Sequence, residues 1–136
     1  MKSELSRADS FHVEIDGISA AVFARAAGLG ASRELLAYDE GGYDGRRLFA
    51  GRLGGGKIAL ERGVTRESSL FRWFESGERR DGAVVLVDPG GRERCRWRLR
   101  GAIPTRWGGP LLSASVASVA LETFELSYEA IEWADD

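Results

Sequence analysis

The chain has one cysteine, one histidine, one methionine, two lysines and no long apolar run. Each shortage excludes something. A lone thiol, Cys95, closes no intramolecular disulfide and supplies no multi-cysteine zinc site, which fits a reducing compartment. The single histidine, His12, alternates with apolar residues at the start of the chain, so neither a Ser-His-Asp arrangement nor Cys-His metal spacing can be argued. No segment approaches the roughly 20 apolar residues of a bilayer span, and the N-terminus has no apolar signal core. The expectation is therefore a chain without a membrane anchor, made and assembled in the cytoplasm unless another system exports it. An excess of one charge is also missing. With 19 basic and 21 acidic residues the formal charge is -2, so nothing pulls the whole molecule towards nucleic acid or an anionic membrane. Seventeen of the basic residues are arginine, whose planar guanidinium suits ordered interfaces, although codon bias gives the same count.

What is present is a succession of β patterns. The 136 residues, 43% hydrophobic, suffice for one compact domain. Residues 1–9 are polar apart from Met1, Leu5 and Ala8 and read as a flexible N-terminal arm, with the domain spanning residues 10–136. Phe11, Val13 and Ile15 alternate with His12, Glu14 and Asp16, and Asp16-Gly17 is a hairpin turn signal. A partner strand is expected over residues 18–26 and a third over 32–40. Residues 41–57 then hold seven glycines around Arg46-Arg47-Leu48-Phe49 and read as an extended loop, either functional or a disordered hairpin tip.

A strand is expected over residues 57–62, then one helix over 66–76 with Thr65 as N-cap, Glu67 in its first turn and Gly77 as stop. Leu70, Trp73 and Phe74, with Phe71 beside them, form an aromatic stripe suited to packing across a sheet. Residues 83–87 read as a strand buried on both faces, followed by the turn Asp88-Pro89-Gly90-Gly91. The returning strand places Arg92, Arg94, Arg96, Arg98 and Arg100 on one face and Cys95, Trp97 and Leu99 on the other. Five like charges need partners or solvent; Glu125 and Glu129, which alternate with Phe124, Leu126 and Tyr128, are candidates. Ile103-Pro104 and Gly108-Gly109-Pro110 read as breaks on either side of Trp107.

Catalytic signals are weak. Gly28-Leu29-Gly30 and Gly54-Gly55-Gly56-Lys57 lack the spacing of a dinucleotide fingerprint or a phosphate loop. Counting carboxylates leaves a two-carboxylate hydrolase open, but nothing sets one pair apart. Trp97 lies on the face away from the arginines, against a stacking nucleic-acid track.

Several short motifs in order carry a resemblance: residues 10–17, Ala27-Gly28-Leu29, Tyr38-Asp39-Glu40-Gly41-Gly42, Gly51-Arg52 and residues 58–65. It continues with Trp73-Phe74, residues 86–91, Trp97, Ala102-Ile103-Pro104, Gly109-Pro110 and residues 120–126. Over roughly residues 10–131 the chain resembles the tail-tube protein family of contractile phages and extracellular contractile injection systems. It departs from that pattern in an alanine-rich stretch at 18–31 and in Leu53-Gly54-Gly55-Gly56.

The resemblance implies a mainly β fold, two antiparallel sheets forming a small barrel or sandwich with one flanking helix. It also implies a structural, non-enzymatic protomer with no catalytic, cofactor or metal residues. Its hexameric rings would stack into a hollow tube inside a contractile sheath, meet baseplate or spike proteins, and conduct cargo or DNA without sequence-specific recognition. On this reading Gly41, Gly42, Arg46, Arg47, Leu48, Phe49 and Arg52 are candidate subunit or ring contacts, and deleting residues 43–55 is expected to abolish assembly. The five arginines with Glu125 and Glu129 are candidates for a charged lumen or outer wall. A baseplate-proximal tube initiator and a monomeric ligand-binding β-barrel are the alternatives.

Overall fold

The computed structural model of the protein describes residues 10–21, 23–39, 45–114 and 120–134. The proposed arm at 1–9 lies outside them. Strand β1 (Ser10–Ile15) turns at Asp16-Gly17, with Gly17 at φ 78, into β2 (Ile18–Ala21). The single strand expected over 18–26 is instead two short ones, β2 and β3 (Arg25–Ala27). β2 pairs with β1 and β3 with a strand of the opposite sheet, and Phe23 is buried between them, so the chain turns a corner there.

After β4 (Ser32–Asp39) the segment expected to be a loop is largely strand: β5 (Arg46–Gly54) pairs antiparallel with β4, and β6 (Gly56–Gly63) starts two residues later. Its glycines obscured an alternation, Leu48 and Ala50 against Phe49, that slips at Gly51-Arg52, where a bulge sets two residues of β5 opposite Glu34 and the pairing then resumes at Leu53. The excursion is a hairpin arm, a two-stranded sheet of its own.

Helix α1 (Ser69–Ser76) begins three residues later than expected, with Ser68 at the N-cap position. Thr65 Oγ1 accepts from the Glu67 amide, and a Glu67 carboxylate oxygen accepts from the Ser69 amide, so the predicted cap residues form a turn ahead of the helix. Gly77 ends it in the left-handed conformation, its amide bonding Trp73 O at 2.9 Å. The aromatic stripe packs as expected: Leu70 and Trp73 are buried, Trp73 against Phe124, while Phe71 meets Trp107 edge-on.

Strand β7 (Arg80–Val87), buried at Ala83, Val84 and Val85, leads into the Asp88 turn. The positive φ falls at Gly91 rather than Gly90, and Asp88 Oδ1 accepts from the Arg92 amide. β8 (Glu93–Gly108) then runs sixteen residues straight through the predicted break at Ile103-Pro104. Pro104 is accommodated at a bulge opposite Leu126, where the regular ladder lapses and its missing donor costs little. β9 (Leu121–Tyr128) follows, and the unanticipated β10 (Ala130–Ala134) completes the chain order.

The strand order is β2-β1-β7-β8-β9-β6-β3, with β10 also on β8. Because β8 is so long it serves two sheets: residues up to Ala102 pair with β7 and residues 96–100 with β10, while residues 103–108 pair with β9. The bend falls where Gly101 takes φ 62 and Glu129 N donates to Arg100 O at 2.8 Å. The sheet thereby curls over a core of Val13, Ile58, Leu60, Val84, Leu99, Phe124 and Leu126, with α1 on its side. The two end strands of the path, β2 and β3, are consecutive in the chain. This is the expected mainly β architecture of two antiparallel sheets with one helix.

Candidate functional site

The β4–β5 arm carries most of the candidate contact residues. Paired side chains share a face: Leu36 stands opposite Phe49 and Tyr38 opposite Arg47 on one side, Leu35 opposite Ala50 and Ala37 opposite Leu48 on the other. Leu35, Leu36, Tyr38, Leu48, Phe49 and Leu53 are all exposed, Leu48 to 65%. Both faces of the arm thus expose large apolar side chains, interspersed with charged ones. Tyr38 and Phe49 meet edge-on with centroids 5.4 Å apart. Arg46 lies 3.8 Å from Asp39 near the tip, and Arg52 is exposed on β5. Gly41 and Gly42 lie outside the described residues.

The root of the arm is fixed. A Cβ on Gly55, between β5 and β6, would fall 1.7 Å from Tyr128 O. The Tyr128 hydroxyl accepts from Gly30 N at 3.0 Å and donates to Gly30 O at 2.6 Å, tying the approach to β4 onto β9.

The arginine series sorts differently from the sequence expectation. Arg92 belongs to the turn, while Arg94, Arg96, Arg98 and Arg100 lie on β8. Arg96 donates to Glu14 of β1 at 2.7 Å and to Glu93 at 2.8 Å. Arg100 donates to Glu132 of β10 at 3.0 Å and approaches Asp81 of β7 at 3.5 Å. Glu125 and Glu129 pair elsewhere, with Lys57 at 3.2 Å and Arg79 at 3.3 Å. The reason is register: β9 meets β8 only beyond the arginines, and the chain steps at Glu129 so that β10 lies beside them. The bond from Arg96 holds the Glu14 and Glu93 carboxyls below the ordinary range and raises Arg96 in turn; the bond to Glu132 raises Arg100. His12 Nε2 lies 3.0 Å from Glu14. Arg96 and Arg100 are thus met by carboxylates from β1, β7, β8 and β10.

Two features escaped the sequence reading. Arg62 and Glu122 form a buried ion pair, and the second Glu122 oxygen accepts from Trp107 Nε1 at 2.9 Å. Trp97 and Trp133 stand edge to face beside an apolar groove. Glu122 sits at the inward phase of its strand with Phe124 and Leu126, a signal that was there to read; the groove depends on β10, which was not anticipated. Among the described residues no group of three or more His, Cys, Asp or Glu is placed to hold a metal ion, and no helix is long and apolar enough to cross a membrane.

Comparison with known proteins places the chain in a family. Among curated protein sequences none matches the chain significantly. Among solved structures, a chain of the PVC extracellular contractile injection system sheath-tube complex in the extended state superposes with TM-score 0.83 at 22% identity, covering 96% of this chain and 91% of that one. A chain of the anti-feeding prophage baseplate, six-fold symmetrised, gives 0.82 at 26% identity over 98% and 97%. Hcp1 from Flavobacterium johnsoniae is more distant, at 0.58 and 20% identity over 91% and 94%. Residues 7–132 match the family of the T4-like virus tail tube protein gp19, and this chain belongs to that tail tube family.

Proposed function

We propose that this chain is an inner-tube protomer of a contractile particle, a phage tail or an extracellular injection system. Hexameric rings of it stack into a hollow tube within a contractile sheath. The tube meets baseplate or spike proteins and conducts cargo or DNA without reading sequence. It is structural and carries no catalysis. The observation that supports this best is the hairpin arm: a two-stranded sheet is marginal on its own, and this one exposes Leu35, Leu36, Tyr38, Leu48, Phe49 and Leu53 across its two faces. Neighbouring subunits are the surfaces such an arm requires. Arg46, Arg47, Leu48, Phe49 and Arg52 lie on β5, and with Gly41 and Gly42, which stand between the two strands in the sequence, they are proposed as subunit or ring contacts. The open edges of β2, β3 and β10 are further pairing templates, which closure of a ring removes. The face of Arg92, Arg94, Arg96, Arg98 and Arg100, with carboxylates against Arg96 and Arg100, is proposed as a charged wall of the lumen or the exterior.

Negative-stain electron microscopy over a concentration series, paired with light-scattering mass, tests the reading. Rings or stacked hollow tubes are expected. A strict monomer at every concentration would overturn self-assembly, and would turn attention to an initiator that needs a baseplate partner or to a ligand-binding barrel.

A further inference from the structure

Two uncovered apolar surfaces lie at opposite ends of one sheet. β6 and β9 pair along their whole length, from Gly56 opposite Tyr128 to Gly63 opposite Leu121, a span of about 23 Å. The arm leaves at the first end, through Gly55, whose backbone abuts Tyr128. At the other end β8 finishes at Gly108, opposite Thr123, and the connection to β9 begins. On that connection Leu111 and Leu112 are 90% and 81% exposed, the most solvated large apolar side chains among the described residues, so they project from the surface. Their base is fixed, since a Cβ on Gly109 would stand 3.1 Å from the Trp107 ring and Trp107 is bonded to Glu122. Residues 107–121 carry no charge in a chain that is 29% charged, and depletion of charge marks the core of an interface.

The arm supplies a hollow for such a projection. Leu36, Tyr38, Asp39 and Phe49 line an open space of about 490 Å³, and only Asp39 among them is charged. β4 and β5 pack chiefly on each other, and Leu36, Phe49, Leu111 and Leu112 are all exposed, so the two surfaces do not cover one another within a copy. The arm is also the surface that most needs a partner. A two-stranded sheet is marginal alone, whereas Leu29, Trp97 and Ile131 of the groove beside Trp133 already pack on the core.

We infer that the Leu111–Leu112 projection of one copy seats in the Leu36–Tyr38–Phe49 hollow on the arm of the next. Because projection and arm root lie at opposite ends of the β6–β9 pair, the contact is head to tail and propagates along an axis. It rests on the tube-protomer reading and names which surfaces of that protomer meet when rings stack.

The test uses single-cysteine chains in a Cys95→Ser background. One carries Asp39→Cys on the arm and the other Ala114→Cys beside the leucines; they are mixed, treated with a short bismaleimide and analysed by gel and mass spectrometry. Several-fold more heterodimer is expected than from Asp39→Cys mixed with Arg92→Cys, an exposed position in the Asp88 turn. Adding Leu111→Ser and Leu112→Ser to the Ala114→Cys chain should bring the yield down to that reference. The circular dichroism spectrum should not change, since both leucines are solvated in the single copy. Equal yields overturn the pairing, as does a cross-link indifferent to the leucines. A greater yield from Ala114→Cys mixed with Ala31→Cys also overturns it, by seating the projection in the groove beside Trp133. Microscopy of the unmodified chain separates the two levels. Tubes without the cross-link overturn the pairing alone, the cross-link without tubes supports the pairing and overturns the stacked tube, and neither overturns both.

Discussion

At Arg62 and Glu122 two charges are held out of water, their side chains only 9% and 10% exposed. The Trp107 indole occupies the remaining Glu122 oxygen, and the guanidinium lies 5.8 Å from the Phe23 ring centroid. Glu122→Ala leaves the buried guanidinium only its longer contacts to Glu67, at 3.5 Å, and should cost about 3 kcal/mol. Arg62→Met with Glu122→Leu should recover most of that loss, because both desolvation penalties disappear together; urea melts of the three chains check the pattern. A different residue-scale effect governs acid stability. Glu14, Glu67 and Glu93 all have carboxyls lowered from the ordinary 4.5, Glu14 and Glu93 chiefly by the Arg96 hydrogen bond and Glu67 by the Ser69 bonds. A lowered folded-state value means stability that is present above the unfolded value and lost as pH falls through the folded one. The melting midpoint should therefore fall as pH drops below the ordinary 4.5, less steeply in Glu14→Gln. Gly55 is a position of contact rather than conformation. An added Cβ would strike the Tyr128 carbonyl, so Gly55→Ala should destabilise by ~3 kcal/mol and displace the root of the arm.

Elements separate into those that build the domain and the one that projects from it. The β4–β5 arm has its own two-stranded sheet, so its loss leaves the ladder of the curled sheet unbroken. Deleting residues 43–55, the cut suggested by reading the segment as a loop, would remove β5 and leave β4 unpaired. Replacing residues 36–49 with Asn-Gly is the better experiment, since Leu35 and Ala50 are register partners that a two-residue turn can join. The shortened chain should keep its circular dichroism spectrum and melt within a few degrees of the parent. It should form no rings or tubes, and tubes of normal appearance would remove the arm from the assembly. Most elements were legible in advance because alternation and helical spacing are written in residue type: β1, β7, β9 and the Leu70–Trp73 face of α1 fall where their patterns put them. The misreadings share a cause. Glycine and proline were taken as punctuation at Gly51, Gly54 and Pro104, yet Gly54 and Pro104 keep strand partners, Ser32 and Leu126, and Gly51 sits in a bulge that β5 runs through.

At the scale of the whole molecule, uncovered apolar side chains lie on the arm, at Leu111-Leu112 and at Trp133. Assembly that covers them stabilises the folded state by mass action. The melting midpoint should therefore rise with protein concentration in the parent chain and be flat in the arm-shortened one, as differential scanning calorimetry over a dilution series would report. By itself the sequence determined the β class, the one amphipathic helix, the Asp16-Gly17 turn and the shortage of catalytic groups, since these depend on residue type and local spacing. Its run of motifs pointed to the tail tube family. Tertiary structure alone decided which strands became neighbours, because backbone ladders carry no side-chain label. From that came the sharing of β8 between two sheets, the pairing of Arg96 and Arg100 with Glu14 and Glu132 rather than with Glu125 and Glu129, and the groove that β10 completes. Each joins residues far apart in the chain that only the curl of the sheet brings within reach.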